Sequence, residues 1–136
     1  MITREDLESY LFRLDVEVEE VDDGLWLLKP ENNETPIVCS YSPPVVLLRL
    51  KVMDLPPDGE DTRFGPLYRR LLELNAADIL HGSYGIEEGE IVLSDALELE
   101  NLDFSEMRSS FESLVMAATG HLPELAGLVP AIAQEG

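Results

Sequence analysis

Cys39, His81 and His121 are the residues whose types best suit nucleophilic catalysis or metal binding in this 136-residue chain. A reactive thiol needs a neighbouring base or cation that favours its thiolate, and neither histidine lies near Cys39 in the sequence. Cys39 also falls on a predicted buried strand, where a thiol behaves as a small hydrophobic group. The spacing of the two histidines matches no metal-ligand pattern. We therefore expect a structural cysteine and two ordinary histidines.

Carboxylates are the other source of chemistry, because the chain has 28 aspartates and glutamates against 9 lysines and arginines. Asp58, Glu60 and Asp61 alternate in a loop in the manner of weak calcium ligands. An EF-hand loop that starts at Asp58 needs a glutamate at its twelfth position, where this chain has Arg69. The sequence also has no glycine-rich phosphate loop and no nucleophile elbow. It therefore predicts no catalytic residue, no metal site and no cofactor.

The formal net charge of −19 restricts the classes of partner. Proteins that bind nucleic acids or anionic membranes do so through clustered lysine and arginine, which this composition does not supply. We therefore expect no direct contact with nucleic acid and none with membranes. Because opposite fields steer association, the charge favours a basic protein as partner.

Length and apolar content predict one domain over residues 1–136, since 45% of the residues are hydrophobic. Apolar runs are short, such as the four residues Leu25–Leu28, whereas a membrane helix needs about 20. The start of the chain has no basic segment followed by an apolar run, and one cysteine permits no internal disulfide. These features indicate a cytoplasmic protein.

Hydrophobic periodicity predicts a helix, a strand meander, a second helix, a hairpin and a third helix. The predicted helices cover residues 4–14, 62–77 and a segment from Asp103 to a stop at Gly120, and the predicted strands cover 16–21, 25–29, 37–41, 45–53, 80–86 and 90–97. A short terminal helix after His121 is left open. A run of strands with helices on one side is typical of the α+β class. We predict an antiparallel sheet of five to six strands with helices packed on it, in the order α-β-β-β(-β)-α-β-β-α.

Local signals mark the ends of these elements. Thr3 with Asp6, and Asp103 with Glu106, have the spacing of helix N-terminal capping boxes. Acidic residues followed by Gly24 and by Gly89 are strong signals for tight hairpin turns.

The residues proposed to contact a partner lie in the first third of the chain. The acidic run from Glu17 to Asp23 alternates with valines, which is typical of an edge strand with one solvated face. Its carboxylates either stay solvated or contact a basic partner, and we take Glu17, Glu19 and Glu20 as the candidates. The apolar candidates are Leu7, Tyr10, Leu11, Trp26 and Tyr41. For Trp26, two interpretations remain: a core residue under the first helix, or the wall of a partly exposed groove.

Charge is distributed unevenly, and this suggests where copies of the chain could meet. Residues 36–80 carry 6 acids and 5 bases, whereas residues 81–136 carry 11 acids and 1 base. Two strongly acidic faces repel, so a homodimer is easier to form through the near-neutral middle. Phe64, Leu67 and Leu71 of the second helix are the proposed interface, and the alternative is that all three face their own sheet.

Residues 71–76, 82–84 and 88–93, together with Leu97 and Leu102, resemble the YbjN family. That family shares its fold with the type III secretion chaperones, including the Tir chaperone group. The resemblance implies a small, acidic, dimeric bacterial protein without catalytic residues, which holds an extended segment of a client protein.

These observations favour a non-enzymatic protein-binding module, chaperone-like or regulatory, that binds a segment of a partner protein as a homodimer. The expected partner is basic, with a DNA-binding protein as one candidate, and binding would use strand addition or a helix in a groove. Two alternatives remain open. One is an acidic mimic of nucleic acid that inhibits a DNA-binding protein, and the other is a small enzyme with an unrecognised carboxylate site.

Overall fold

A computed structural model describes residues 1–31, 35–56 and 62–130. Within them, three helices and six strands follow one another in the predicted order, which confirms the α+β class. The helices are α1 (Arg4–Phe12), α2 (Gly65–Ala77) and α3 (Phe104–Gly127), with a 3₁₀ turn over Thr62–Phe64 before α2. The strands are β1 (Glu17–Asp22), β2 (Leu25–Lys29), β3 (Ile37–Ser42), β4 (Val45–Asp54), β5 (Ser83–Glu87) and β6 (Glu90–Glu98).

The six strands form one antiparallel sheet in the order β1-β2-β3-β4-β6-β5. The long strands β4 and β6 pair inside the sheet, and β1 and β5 are its two edges. Gly24 and Gly89 make the turns of the two outer hairpins with φ angles of 73° and 78°. Glycine enters this left-handed region without a steric penalty, because it has no Cβ. Both predicted hairpin turns are confirmed.

All three helices pack on the same face of the sheet. Alternate residues of the strands point into the core, as the pattern of burial along β2 and β3 shows. The helices supply the other half of one continuous cluster, with Leu7 and Leu11 from α1, Leu67 and Leu74 from α2, and Leu114 from α3. No described helix covers the opposite face, so the sheet has one dry face and one face that contacts solvent.

Two predicted helix caps are present. The Thr3 hydroxyl accepts from the Asp6 N–H at 3.1 Å, and the Thr3 N–H donates to the Asp6 carboxylate at 3.0 Å. These hydrogen bonds lower the pKa of Asp6. Asp103 likewise accepts from the Glu106 N–H at 2.8 Å at the start of α3. Helix α1 ends at Phe12, two residues earlier than predicted.

The prediction that the third helix stops at Gly120 is wrong, since α3 continues to Gly127 with Pro123 inside it. Proline in a helix interior costs about 3 kcal/mol or more, because it removes a hydrogen bond and crowds the preceding turn. The continuation places His121 and Leu125 in the protein interior. Burial of these side chains offsets the local cost, and Gly120 is an ordinary helical residue.

Asp58, Glu60 and Asp61, whose spacing fails the EF-hand pattern, lie outside the described residues. In the described ranges, no helix has the length and apolar character required to cross a membrane.

Candidate partner-binding surface

Three of the proposed partner-contact residues lie in the core. Leu7, Leu11 and Trp26 are fully buried between α1 and the sheet. Since a partner reaches only exposed atoms, the structure corrects the prediction for these three, and Trp26 takes the first of its two interpretations. Their apolar side chains hold α1 on the sheet, because helical spacing on α1 brings Leu7 and Leu11 to the same face.

Tyr10 and Tyr41 are partly buried, and each hydroxyl is committed to a backbone carbonyl. The Tyr10 hydroxyl donates to the oxygen of Leu102 at 3.2 Å, and the Tyr41 hydroxyl donates to the oxygen of Ile2 at 3.1 Å. These bonds fasten the first residues of the chain and the start of α3 to the rest of the domain. The rings keep a partly exposed edge, but their polar groups are already satisfied.

Glu17, Glu19 and Glu20 are exposed on β1, as predicted for a solvated edge strand. β1 pairs with β2 on one side, and no described segment pairs with its other side. The register shifts between Glu20 and Asp22, which leaves four regularly paired residues from Glu17 onward. The outer backbone groups of this short stretch are the open edge of the sheet.

The carboxylates of β1 are partnered by two cations of the same chain. Arg4 contacts Glu20 and also lies 2.9 Å from Asp23, and its guanidinium stands 5.3 Å from the centre of the Trp26 ring. Lys29 donates to Glu19 at 2.7 Å, and this hydrogen bond raises the pKa of Lys29. Exposed pairs contribute little free energy, but they reduce the net negative charge of this edge.

The other edge strand, β5, is closed at Tyr84, its second residue, by a side chain. The Asn75 amide nitrogen donates to the Tyr84 carbonyl at 3.1 Å, and the Tyr84 N–H donates to the Asn75 amide oxygen at 2.7 Å. These two bonds reproduce what a residue on a neighbouring strand would supply. Tyr84 has no free outer backbone group left for an added strand.

A chain of polar side chains continues from this closed edge, buried at Tyr84 and His121 and exposed at Asp78. The Tyr84 hydroxyl lies 2.9 Å from Nδ1 of His121, and Nε2 of His121 lies 2.6 Å from the Asp78 carboxylate. Burial, and secondly the charge of Asp78, raises the pKa of Tyr84 to about 12. The phenol is therefore a stable hydrogen-bonding group that joins β5, α3 and the end of α2.

Phe64, Leu67 and Leu71, the proposed dimer interface, do not lie on the outward surface of the second helix. All three are buried against the sheet, which was the alternative. The outward face of α2 lines an open hollow of about 730 Å³ with Pro66, Leu72 and Ala76 among its walls. Leu72 is 68% exposed, so the exposed apolar surface of α2 lies on the side opposite to Leu67 and Leu71.

Cys39 and His81, which were also considered for catalysis or metal binding, make structural contacts. Cys39 is buried, as predicted, and burial raises the pKa of its thiol to about 12, so it is a poor nucleophile. His81 is exposed, and its backbone N–H and carbonyl both bond the Ser113 hydroxyl. Within the described parts of the chain, no group of three or more His, Cys, Asp or Glu residues could hold a metal ion.

Sequence reasoning missed the roles of Asn75 and His121. Asn75 stands in a helical stretch, and its partner Tyr84 lies nine residues later across a turn. The one sequence signal for this closure was an asparagine on the inward side of a helix that precedes an edge strand. His121 was assigned to the end of the chain, where its burial could not be foreseen.

Comparison with known proteins agrees with the architecture. The family model CesT_Tir_1, of the type III secretion chaperones, matches residues 2–130. No curated protein has a matching sequence.

Several solved structures share the fold at low sequence identity. A chain of the heterodimeric ExoU–SpcU complex from the type III secretion system of Pseudomonas aeruginosa superposes with a TM-score of 0.65 and 13% identity, covering 86% of this chain and 95% of that one. The HopA1–SchA chaperone–effector complex gives 0.62 and 15%, covering 88% and 92%. YbjN from E. coli gives 0.59 and 16%, covering 88% and 93%. The match of the family model over nearly the whole sequence shows that the chain belongs to the type III secretion chaperone family of CesT and Tir type.

Proposed function

We propose that this protein is a non-enzymatic, homodimeric binding module that holds an extended segment of a basic client protein along the open edge of β1. The observation that carries the proposal is the difference between the two edges of the sheet, because β5 is closed by Asn75 and β1 is not. Similarity to chaperone–effector complexes supports a protein client.

The register of β1 limits the length of the added strand. Residues Glu17–Glu20 pair regularly with β2 before the shift at Val21, and four residues of strand span about 13 Å. A client segment of four or five residues therefore fills this edge. Main-chain hydrogen bonds supply affinity in such complexes, and alternate side chains supply specificity.

The two faces of β1 predict the side chains of the client. Glu17 and Glu19 lie on the face without helices, where they share Lys29. Val18 lies on the opposite face and packs against the core. A client strand in which a basic residue alternates with a β-branched residue meets both faces. The three glutamates are thus the part of the original prediction that remains accessible.

Self-association is assigned to the outward face of α2, around Leu72. This face combines the exposed leucine with Pro66 and Ala76, and it belongs to the near-neutral part of the sequence. Light scattering on Leu72→Glu tests it: the proposal expects a dimer that becomes a monomer, and an unchanged state would place the interface elsewhere.

Binding at β1 is tested with a synthetic eight-residue peptide of alternating lysine and valine, followed by backbone amide NMR. We expect the largest shifts at Glu17–Glu20. Reversal of two charges in Glu17→Lys with Glu19→Lys should weaken binding about tenfold, equivalent to about 1.4 kcal/mol. The matched control, Glu87→Lys with Glu88→Lys at the other edge, should bind like the wild type. Shifts centred on β5 would contradict the proposal.

A further inference from the structure

The outer side of α3 carries a second surface with apolar and acidic character. Between α3 and the segment that joins α2 to β5 lies a hollow of about 530 Å³. Leu80 and Met116 stand on its rim, and they are 91% and 74% exposed. Monomeric proteins seldom leave large neighbouring apolar side chains in water without a use for them.

A second hollow of about 390 Å³ lies on the other flank of the same helix. Its apolar walls include Val16, Pro30 and Val115, and it shares Glu112 and Met116 with the first hollow. Met116 therefore lies between the two hollows, and the surface is continuous across α3.

The charges on this surface differ from those on β1. Asp78 and Glu112 line the first hollow, and Asp15, Glu31 and Glu112 line the second. Among the described residues that line them, none is a lysine or arginine. Glu112 lies 4.0 Å from Arg108 on its own helix, whereas Glu19 of β1 has the Lys29 ammonium at 2.7 Å. Acids around apolar walls favour a ligand that is both apolar and cationic.

We infer that the two hollows on either side of Met116 bind a basic amphipathic segment of the client protein, separate from the strand held by β1. The inference rests on the proposed function, since it assigns a second contact to the same client. The first hollow follows α3 from Ser109 to His121, which is about 18 Å of helix. It accommodates five or six extended residues.

A second copy of this chain is a poor occupant. Each copy has a net charge of −19, and the described cations Arg4, Lys29 and Arg70 are held in ion pairs with their own chain. Bringing another acidic copy against Asp15, Glu31 and Glu112 would add repulsion. Two linked contacts on one client would also raise its affinity through effective concentration.

The methionines allow a direct test on the full chain. The probe is a 12-residue amphipathic peptide of leucine and lysine, and a leucine–glutamate peptide is the charge control. In a titration followed by the NMR signals of the methionine methyl groups, Met116 should shift, while the buried Met107 and the distant Met1 should not. Met116→Ser should weaken binding about tenfold and Glu112→Lys about threefold. The matched control Ile86→Ser removes an apolar side chain that is 59% exposed on β5 and should bind normally.

Each other outcome overturns the inference in a recognisable way. An unmoved Met116 signal, or equal affinity for Met116→Ser and wild type, shows that the hollows are unused. If the peptide instead loses affinity for Glu17→Lys with Glu19→Lys, the segment lies on β1 and the proposed function survives without this second contact. If Met116→Ser converts dimers into monomers in light scattering, a second copy covers the surface.

Discussion

The two edge strands of the sheet satisfy their outer backbone groups in different ways. On β5, Asn75 supplies both a donor and an acceptor to the backbone of Tyr84. The buried side chain of Tyr84 also hydrogen-bonds His121. On β1, no described side chain bonds the outer backbone, and charged side chains surround it instead. One edge is closed by neutral hydrogen bonds, and the other is only guarded by charge.

The two edges therefore differ in which outer backbone groups they leave accessible to another strand. An exposed edge is a template for aggregation, and proteins protect such edges with charges, bulges or covering segments. The acids of β1 repel copies of this acidic chain, yet they do not exclude a basic strand. Charge thus discriminates between strands, whereas the Asn75 closure occupies the backbone of Tyr84 whatever the charge of an added strand.

Removing the Asn75 side chain should produce the largest effect on stability. Asn75→Ala leaves the N–H and carbonyl of Tyr84 without their partners, and each lost hydrogen bond with its desolvated group costs about 1 to 1.5 kcal/mol. We expect the free energy of unfolding in urea to fall by about 2 to 3 kcal/mol. We also expect the lysine–valine peptide to bind a second site, with new amide shifts at Ser83–Glu87.

Asn75→Asp is the informative control, because it keeps the acceptor for the Tyr84 N–H and loses the donor. Its stability should lie between those of the wild type and Asn75→Ala. If Asn75→Ala is as stable as the wild type and gains no second site, β5 is excluded from strand addition by something other than this amide.

High pH should weaken the closed edge through Tyr84. The pKa of Tyr84 rises from 10 to about 12 on folding, so the folded state keeps a proton that the unfolded chain releases. The stabilisation is complete below pH 10 and is lost as the pH rises towards 12. Two pKa units correspond to at most about 2.7 kcal/mol. Unfolding in urea at pH 9 and 11.5 measures it.

Tyr84→Phe separates this ionisation from others. The thiol of Cys39 also has a pKa raised to about 12, so both proteins should carry Cys39→Ala. In that background, the fall in stability with pH should be smaller in Tyr84→Phe. Equal slopes would mean that Tyr84 ionises as readily in the folded protein as in the unfolded chain.

Most of the architecture could be predicted because local signals coincide with the elements. Thr3 and Asp103 cap helices, Gly24 and Gly89 turn hairpins, and each signal acts within four residues. The end of α3 could not be predicted in this way. Gly120 and Pro123 are local stop signals, but the burial of Leu125 among residues distant in the sequence overrides them.

The candidate surface was harder to predict, because helical periodicity identifies an apolar face without showing what covers it. Leu67 and Leu71 were correctly recognised as one face of α2, with Phe64 in the turn before it, yet all three are buried in the core. The same holds for Leu7 and Leu11 on α1. Glu17 and Glu19 were placed correctly because alternation with valine directly separates the wet face of a strand from the dry one. Glu20 lies on the same face as Val18 and is exposed beside Arg4.

Arg4 should have a moderate effect on the open edge. Arg4→Ala removes its contacts with Glu20 and Asp23 and its position over Trp26, each worth at most about 1 kcal/mol at exposed sites. We expect a loss of about 1 kcal/mol, most of it in low salt. Arg4→Lys keeps the charge and should recover about half. A loss that does not depend on salt would assign the effect to packing on Trp26.

Lys29 should have the smallest effect on stability and an opposite effect on binding. Its pairs with Glu17 and Glu19 are exposed, so Lys29→Gln should cost less than about 0.5 kcal/mol. The same change frees two carboxylates at the edge that we assign to a basic client strand. Affinity for the lysine–valine peptide should therefore rise two- to threefold in calorimetry, and the gain should vanish in high salt because exposed charges are screened.

Glu87 and Glu90 share Arg49 near the closed edge, and Arg49→Gln offers the matched control. It should leave the affinity unchanged, and an equal gain there would mean that the peptide senses net charge and not the edge of β1.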